Sequence, residues 1–376
     1  MNIGFDGKWV VFNHTSRGNL CRNLISAMAS EFPHNKYFIY SKISAENRHL
    51  TPLLVSPNVM LKEPRHGMSI SLWRWGNGWS KDMRRHRTRI YHGLCGLLPL
   101  STGNSHTRLV VSVNDLHVLY HPQSFTRWQR FKNRLALRHS LKKADRIVVP
   151  STWALQEVAS KMGVDASRID VVPPCIDSNF SVKVHDEAKH TLSTQMGLPR
   201  RFVLLMGPLE EYKCALDMVR AIRRLKDQDM GLVLAGKSSR YYRKVVRPYI
   251  ERHQLTERVV HVKHLHSVDL PIIYQLATAV LCPARQELYS LSMLEAMSCG
   301  IPVVANPGTV ITAEAADAVL ATRDDSPESW ANAIDQIIAS PQLHDTLSER
   351  GLLYASQFTP SRSAQALMAC YDKISD

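Results

Sequence analysis

The sequence predicts an α/β protein made of two doubly wound domains, each built on a parallel sheet. Three observations carry this. Short apolar runs alternate with helical patterns along nearly the whole chain. The rhythm breaks once, over a polar stretch from Asp177 to Pro199, and restarts at Phe202. The 376 residues are also enough for two cores.

The first half opens with MNIGFDGKWVVF, which reads as a first strand, its core at Asn2–Phe5, and not as a signal peptide. Residues 12–20 read as a polar loop holding Gly18, and Leu20 to Phe32 has helical spacing stopped by Pro33. Strands are expected at Tyr37–Tyr40, Leu109–Val113, Arg146–Pro150 and Ile169–Val172. Residues 125–143 form a basic amphipathic helix, and Ser151-Thr152 caps another that runs to Met162. In residues 68–89, Trp73, Trp75 and Trp79 precede a cluster of arginines. That pattern suits a membrane-interface segment, and it equally suits a solvated basic helix with its tryptophans turned inward. The stretch from Asp177 to Pro199 is expected to be an irregular linker.

In the second half, strands are expected at Phe202–Met206, Gly231–Ala235 and Val259–Val262, with helices at Ala215–Leu225, Tyr241–His253 and Leu270–Ala277. Helices at Pro327–Ile338, Gln342–Ser356 and Ser361–Ile374 close the chain. Between them lies VLCPARQELYSLSMLEAMSCGIPVVA, residues 280–305. It reads as a buried strand, a polar loop, a helix capped by Ser290 or Ser292 and ended by Gly300, and a second buried strand. Glu287 in the loop and Glu295 on the helix stand eight residues apart, with the helix N-terminus between them. Free N–H groups at that terminus suit a diphosphate, and the carboxylates suit hydroxyl groups. In folds of this class, ligands bind beyond the carboxyl ends of the strands, and with two domains the expected site is the cleft between them.

Composition narrows the function classes. The net charge is +14, and residues 1–180 hold 25 Lys and Arg against 11 Asp and Glu, so the whole excess lies in the first half. A basic half beside a neutral one suggests that one domain faces an anionic surface or substrate. No nucleic-acid recognition motif accompanies the charge, and no GxGxxG follows the first strand, which argues against a dehydrogenase. No apolar run reaches membrane-spanning length. The seven widely spaced cysteines, without a CxxC pair, suit reduced thiols in a cytoplasmic protein and argue against a zinc site.

The 280–305 stretch resembles the retaining glycosyltransferases of the GT-B fold, family 4 (group 1, mannosyltransferase-like), whose pattern there is E-G-F-G-L-P-x-L-E-A-M-A-C-G-x-P-V-V-A. Glu287, Leu291, Leu294-Glu295-Ala296-Met297, Cys299-Gly300 and Pro302-Val303-Val304-Ala305 stand in register with it. Tyr91-His92-Gly93-Leu94, Ala144-Asp145-Arg146-Ile147-Val148, Gly207 to Lys213 and Asp269-Leu270-Pro271 with Tyr274 fall in family order. The resemblance implies GT-B architecture: two Rossmann-like doubly wound domains with an inter-domain cleft. The acceptor-side domain would be residues 1–178 and the nucleotide-sugar domain 179–360, with the helix at about 361–376 packed back on the first.

The resemblance also implies roles. Glu295 would hold the ribose hydroxyls. Glu287 would hold the transferred sugar and stabilise positive charge at its anomeric carbon, and Lys213 would offset charge on the departing diphosphate. Gly207 would let the backbone approach that diphosphate, and Ser290 and Leu291 at the helix start join the donor-binding set. Gly18 and Asn19 would face the donor from the N-terminal domain, and Gly236 and Lys237 would lie near the base. The donor would be a GDP- or UDP-sugar, with no metal and no further cofactor. The acceptor would be a lipid-linked glycan or polysaccharide met at an anionic membrane surface through the basic domain. The protein would be cytoplasmic and peripheral on the inner face of the membrane. Each residue also has a plainer reading: Glu287 as a solvated loop acid, Glu295 as an exposed helix acid, and Lys213 as an ordinary helix-opening lysine.

The chain departs from the family pattern where the donor is handled. Leu288 and Ser290 replace two glycines, Ser292 replaces a proline, Pro208 stands where an arginine is common, and Asn114 replaces a histidine. These changes fit an enzyme with altered donor handling. They also fit a weakly active homologue that acts as a nucleotide-binding or scaffold partner in glycan assembly.

Overall fold

The computed structural model describes residues 1–13, 16–41, 50–63, 78–99, 106–285, 287–309 and 313–375. Within it the chain forms two compact units. Unit 1 comprises Met1–Ile176 with Phe358–Asp376, and unit 2 is Asp177–Gln357.

Unit 1 holds a seven-stranded parallel sheet. Its strands are β1 (Asn2–Asp6), β2 (Lys36–Tyr40), β3 (Val59–Lys62), β4 (Ile90–Gly93), β5 (Arg108–Ser112), β6 (Arg146–Val149) and β7 (Ile169–Val171). They lie in the order β3-β2-β1-β4-β5-β6-β7, every pair parallel. These strands are short runs of Val, Ile, Leu and aromatic residues because helices cover both sheet faces, leaving little place for polar alternation. Tyr37, Ile90, Tyr91, Val110 and Ile147 are fully buried.

The helix Pro360–Asp372 belongs to unit 1 and packs on the helix Ser16–Glu31. Thr359 caps it and Pro360 opens it. Polar ties fix its end. The Tyr371 hydroxyl lies 2.7 Å from His92 Nδ1, and Lys373 donates to Asp170 at 2.6 Å.

Unit 2 holds a six-stranded parallel sheet of β8 (Arg201–Met206), β9 (Met230–Ala235), β10 (Val259–Val262), β11 (Ala279–Cys282), β12 (Val303–Ala305) and β13 (Val319–Ala321). The order is β10-β9-β8-β11-β12-β13. From β8 the chain winds outward through β9 and β10. It then crosses back to place β11 on the other side of β8, paired at Ala279 with Val203. The order therefore reverses between β8 and β11, and the loops leaving these two strands part on either side of one crevice.

The structure corrects several sequence expectations. The first strand stops at Asp6, whose carboxylate accepts from the Lys8 N–H at 3.0 Å and caps the helix Gly7–Phe12. The loop expected around Gly18 is already helix from Ser16 onward. A Cβ on Gly18 would stand 1.8 Å from the Asn13 carbonyl oxygen, so glycine is required there for a tight corner in unit 1. Asn19 serves the same corner: Arg22 donates to its side chain at 2.5 Å and to the Val10 carbonyl at 2.7 Å. The stretch Asp177–Pro199 is no irregular linker. It carries the helix Asp186–Met196, ended by Gly197 in the left-handed region, and belongs to unit 2. The helix expected over Tyr241–His253 contains a π-helical stretch, Tyr242–Val246, before Arg247–Arg252. Trp73 and Trp75 lie outside the described residues, as does the side chain of Trp79. Of the basic residues after them, Lys81, Arg84 and Arg85 lie in the helix Gly78–Arg85, and Arg87 and Arg89 follow it.

Candidate active site

Gly207 ends β8 with φ 125°. A Cβ there would meet Lys213 Cε at 3.2 Å. The missing side chain is thus what lets the Lys213 stem lie along the backbone of the turn. Gly236, ending β9 with φ 149°, is tighter still, since a Cβ would stand 1.9 Å from the Gly207 carbonyl oxygen. Two backbone bonds tie these turns together, Gly207 N–H to Ala235 at 2.9 Å and Leu209 N–H to Lys237 at 3.2 Å. The Lys237 side chain itself is exposed.

Lys213 completes the short turn Glu211–Lys213, and Cys214 follows in the left-handed region at φ 52°, opening the helix Ala215–Ile222. This geometry swings the Lys213 ammonium over the mouth of β8, where it donates to Glu287 Oε1. Glu287 stands on the loop leaving β11, so the ion pair spans the reversal between β8 and β11. Lys213 keeps 12% of its side chain exposed and Glu287 21%. Burial works against charge on Lys213, but the Glu287 carboxylate beside it, with smaller help from Tyr212, raises its pKa overall.

The loop leaving β11 is fixed from beneath. Asn306, just past β12, donates its side-chain amide to the Pro283 carbonyl. Ser290 is buried and caps the helix Leu291–Ser298, accepting from the Met293 N–H at 3.4 Å. Its hydroxyl lies 3.2 Å from that of Ser292 and 3.8 Å from Cys282 Sγ. Burial pushes the Cys282 thiol up to about 11, and the charges of Lys213 and Glu287 also act on it. Cys282 therefore packs under the ion pair as an un-ionised thiol. Leu288, in place of a glycine, is buried at 1% exposure. It fills space with a side chain where the family pattern has backbone alone.

Glu295, in the second turn of the helix Leu291–Ser298, is not an exposed helix acid. It is 3% exposed and accepts a hydrogen bond from the Tyr274 hydroxyl at 2.6 Å. Burial pushes its carboxyl up to about 7, the Tyr274 bond pulls in the other direction, and Asp177 adds a smaller upward push.

Unit 2 thus brings Gly207, Lys213, Glu287, Gly236, Ser290 and Leu291 to the carboxyl ends of β8, β9 and β11, with Glu295 one helical turn deeper. Gly18 lies in unit 1, in the helix Ser16–Glu31. Sequence reasoning missed three residues. Tyr274 stood out only as a family marker and not as the partner of Glu295. Asn306 gave no signal. Arg285, in the β11 loop, pairs with Asp325 at 2.7 Å and contributes to the field at Cys214. A separate cavity of about 680 Å³ lies at the amino ends of β4 and β5 in unit 1, lined by Arg84, Arg87, Arg89 and Arg108. Among the described residues, no three His, Cys, Asp or Glu side chains gather as a metal site.

Two parallel doubly wound sheets, with a lysine and a glutamate facing each other across the reversal in the second, define a class. The model for "Glycosyl transferases group 1" matches residues 192–353, and that for "Glycosyltransferase Family 4" matches residues 45–180. The chain belongs to the group 1 glycosyltransferases of GT-B fold.

Among curated relatives, a D-inositol 3-phosphate glycosyltransferase of Corynebacterium jeikeium is 25% identical over 64% of this chain and 60% of its own length. The chain thus spans less than two thirds of that relative. The Salinispora arenicola protein of the same name is 27% identical over 61% of this chain and 54% of its own length. The O-antigen chain mannosyltransferase B of Escherichia coli is 24% identical over 74% of this chain and 72% of its own. Among solved structures, Anabaena HepE in complex with UDP and glucose superposes with a TM-score of 0.77 at 18% identity, covering 99% of this chain and 100% of that one. WaaG, a glycosyltransferase involved in lipopolysaccharide biosynthesis, gives 0.70 at 15% identity over 98% of this chain and 99% of its own. At these identities the two structures establish the fold alone.

Proposed function

We propose that the protein transfers a hexose from a UDP- or GDP-sugar to a lipid-linked glycan or polysaccharide acceptor, with retention of configuration. The carrying observation is the convergence of Gly207, Lys213 and Glu287 at the reversal between β8 and β11, where doubly wound sheets take their ligands. In this reading the donor diphosphate lies over Gly207 and the start of the helix Leu291–Ser298, and Lys213 meets the charge that grows as it departs. Glu287, released from Lys213, holds the sugar and stabilises positive charge at the anomeric carbon. Glu295 accepts the ribose hydroxyls through its carboxylate. The acceptor hydroxyl attacks from the face the diphosphate leaves, and the diphosphate takes its proton, so no separate nucleophile is needed. No metal enters this scheme. The curated relatives named as an O-antigen mannosyltransferase and inositol-phosphate glycosyltransferases support transfer of a sugar. The basic first half supports work at the cytoplasmic face of an anionic membrane. No helix among the described residues is long and apolar enough to cross one.

A second reading is a nucleotide-binding partner in glycan assembly with little turnover. One observation favours it: Lys213 and Glu287 neutralise each other, and the residue after Glu287 is a buried Leu288.

A donor screen separates the two. UDP, GDP and their hexoses are tested for thermal stabilisation, and products on lipid-linked acceptors are then read by mass spectrometry, with and without a chelator. The enzyme reading expects one nucleotide to stabilise the protein and a product one hexose heavier that the chelator does not suppress. Stabilisation without product supports the partner reading. No stabilisation by any nucleotide overturns both.

A further inference from the structure

The cavity of about 680 Å³ at the amino ends of β4 and β5 gathers Arg84, Arg87, Arg89 and Arg108, with His106, around one carboxylate, Asp145. That carboxylate is already engaged. It accepts from the Leu109 N–H at 2.7 Å and pairs with Arg108 at 3.6 Å. Arg89 donates to the Ser375 carbonyl at 2.6 Å, a neutral partner that leaves its charge unanswered. Among the described residues, nothing pairs with the side chain of Arg84 or Arg87. Four guanidinium groups against one carboxylate leave an excess of three positive charges around one hollow. Like charges gathered this closely oppose the fold that holds them.

Arg87 separates this cluster from ordinary surface charge. The helix Gly78–Arg85 ends in a Schellman turn: the Thr88 N–H returns to the Met83 carbonyl at 2.9 Å, and the Arg87 N–H to that of Arg84 at 3.1 Å. The turn puts Arg87 in the left-handed region at φ 49°, a place that glycine usually takes. An arginine there carries a steric cost, and its exposed side chain offsets none of it among the described residues. A helix C-terminus does welcome cations, which accounts for Arg84 and Arg85 in its last turn. It does not account for Arg89, just before β4, or for Arg108, which begins β5.

We propose that this cavity binds a compact soluble anion carrying two or more phosphoryl groups, at a site separate from the crevice between the β8 and β11 loops of unit 2. Guanidinium groups meet phosphoryl oxygens in bidentate pairs, which suits a wall of arginines. A phosphoryl group carries about −1.5 to −2 at neutral pH, so two of them match the excess charge better than one does. The wall also limits the rest of the ligand. Met83 and Ile90 are fully buried, and among the described lining Ile374 is the one apolar side chain left partly open. The cavity therefore offers little to an aromatic base or an acyl chain. Its place sets it apart from the transfer chemistry, since doubly wound sheets take substrates at the carboxyl ends of their strands and this cavity lies at the amino ends. Ile374 and Ser375 line it as well, so a bound anion meets the chain that follows the helix Pro360–Asp372 and stabilises unit 1 there.

The test uses the full chain without donor or acceptor, with pyrophosphate and tripolyphosphate as probes. Arginines are labelled with phenylglyoxal and read peptide by peptide by mass spectrometry. Both probes should protect Arg84, Arg87, Arg89 and Arg108, and leave Arg127 and Arg130, exposed on another helix, as reactive as before. Sodium chloride at equal ionic strength should protect them far less. Lys213→Ala, which removes the ammonium of the unit 2 crevice, should keep this protection. In that background, adding Arg84→Ala and Arg87→Gly should weaken calorimetric pyrophosphate binding about tenfold or more. Without ligand, Arg87→Gly alone should raise the thermal midpoint by about 1–3 °C, because glycine relieves the left-handed turn. A side chain that serves the fold would lower it. The proposal is overturned if neither probe protects the cavity arginines beyond the two controls, or if chloride protects them equally. It is also overturned if the double substitution, folded by circular dichroism, binds pyrophosphate unchanged in the Lys213→Ala background, or if Arg87→Gly melts below the parent. Protection by phosphatidylglycerol vesicles with none by the soluble probes overturns it in favour of a lipid headgroup. The readout is local and needs no turnover, so this inference and the transfer reading fail separately.

Discussion

Tyr274 donates its hydroxyl to Glu295 at 2.6 Å within the core of unit 2. Burial nonetheless raises the Glu295 carboxyl to about 7. A carboxylate that accepts two ribose hydroxyls must be ionised. Nucleotide affinity should therefore fall as pH drops below about 7, and Glu295→Gln should flatten that dependence while weakening binding. Tyr274→Phe removes the bond that favours the ionised form, so it should move the profile to higher pH. The stability sign is opposite. A carboxyl raised in the folded state gives stability that is complete below its unfolded value and lost as pH rises through about 7. Glu295→Gln should remove this downward slope between about pH 4.5 and 7. Titration calorimetry and urea melts across that range read both, and unchanged pH dependence of affinity in Glu295→Gln would sink the ribose assignment.

Lys213 and Glu287 face each other half-sheltered, and each leaves an unpaired charge when the other is removed. Glu287→Ala or Lys213→Ala should cost about 1–3 kcal/mol in urea unfolding. The double variant should cost less than the sum. Turnover should fall about 100-fold or more in either single variant. Product formation at the parent rate by Glu287→Ala would overturn its role.

Cys214 is a side-chain-bearing residue at φ 52°, a conformation that glycine adopts freely. Cys214→Gly should raise stability by about 0.5–1 kcal/mol, and Cys214→Val should lower it. Gly236→Ala, with a Cβ 1.9 Å from the Gly207 carbonyl oxygen, should lose about 3 kcal/mol or more. Denaturant midpoints for the three variants test the ranking.

His92 links the sheet of unit 1 to its last helix. Its Nδ1 lies 2.7 Å from the Tyr371 hydroxyl and its Nε2 2.7 Å from that of Ser112. Burial lowers its pKa to about 3. The imidazole is neutral in the fold, so it gives stability that is present above about pH 6.5 and lost as pH falls toward 3. Tyr371→Phe leaves a buried ring nitrogen without its partner and should destabilise unit 1 by about 1–3 kcal/mol. Hydrogen exchange localised to β4 and the helix Pro360–Asp372 reads this loss.

The sheets were legible because strands buried on both faces must be apolar runs bounded by turns. β3 (Val59–Lys62) and β13 (Val319–Ala321) left no such signal: both are sheet edges with a single buried residue each, whereas the equally short β12 is buried throughout. The helix Gly7–Phe12 reads as strand because Trp9-Val10-Val11-Phe12 is β-favouring. A single cap by Asp6 and the space left by Gly7 against Ser41 decide otherwise. The helix Asp186–Met196 was hidden because it buries little, Leu192 being its one fully buried side chain, so no apolar stripe marks it. At the site, Lys213 and Glu287 were visible through their neighbours in a motif. The Tyr274–Glu295 bond was not, because it joins residues on separate helices and follows no local period.

The return of the last helix to unit 1 has a consequence for how the gene can be cut. Unit 2 is an insertion, entered after Ile176 and left before Phe358, within a body that both termini help to build. A stop codon after Gln357 would therefore injure the basic body and leave the inserted one whole. Residues 177–357 form the natural excision, and a short bridge from 176 to 358 would restore the host.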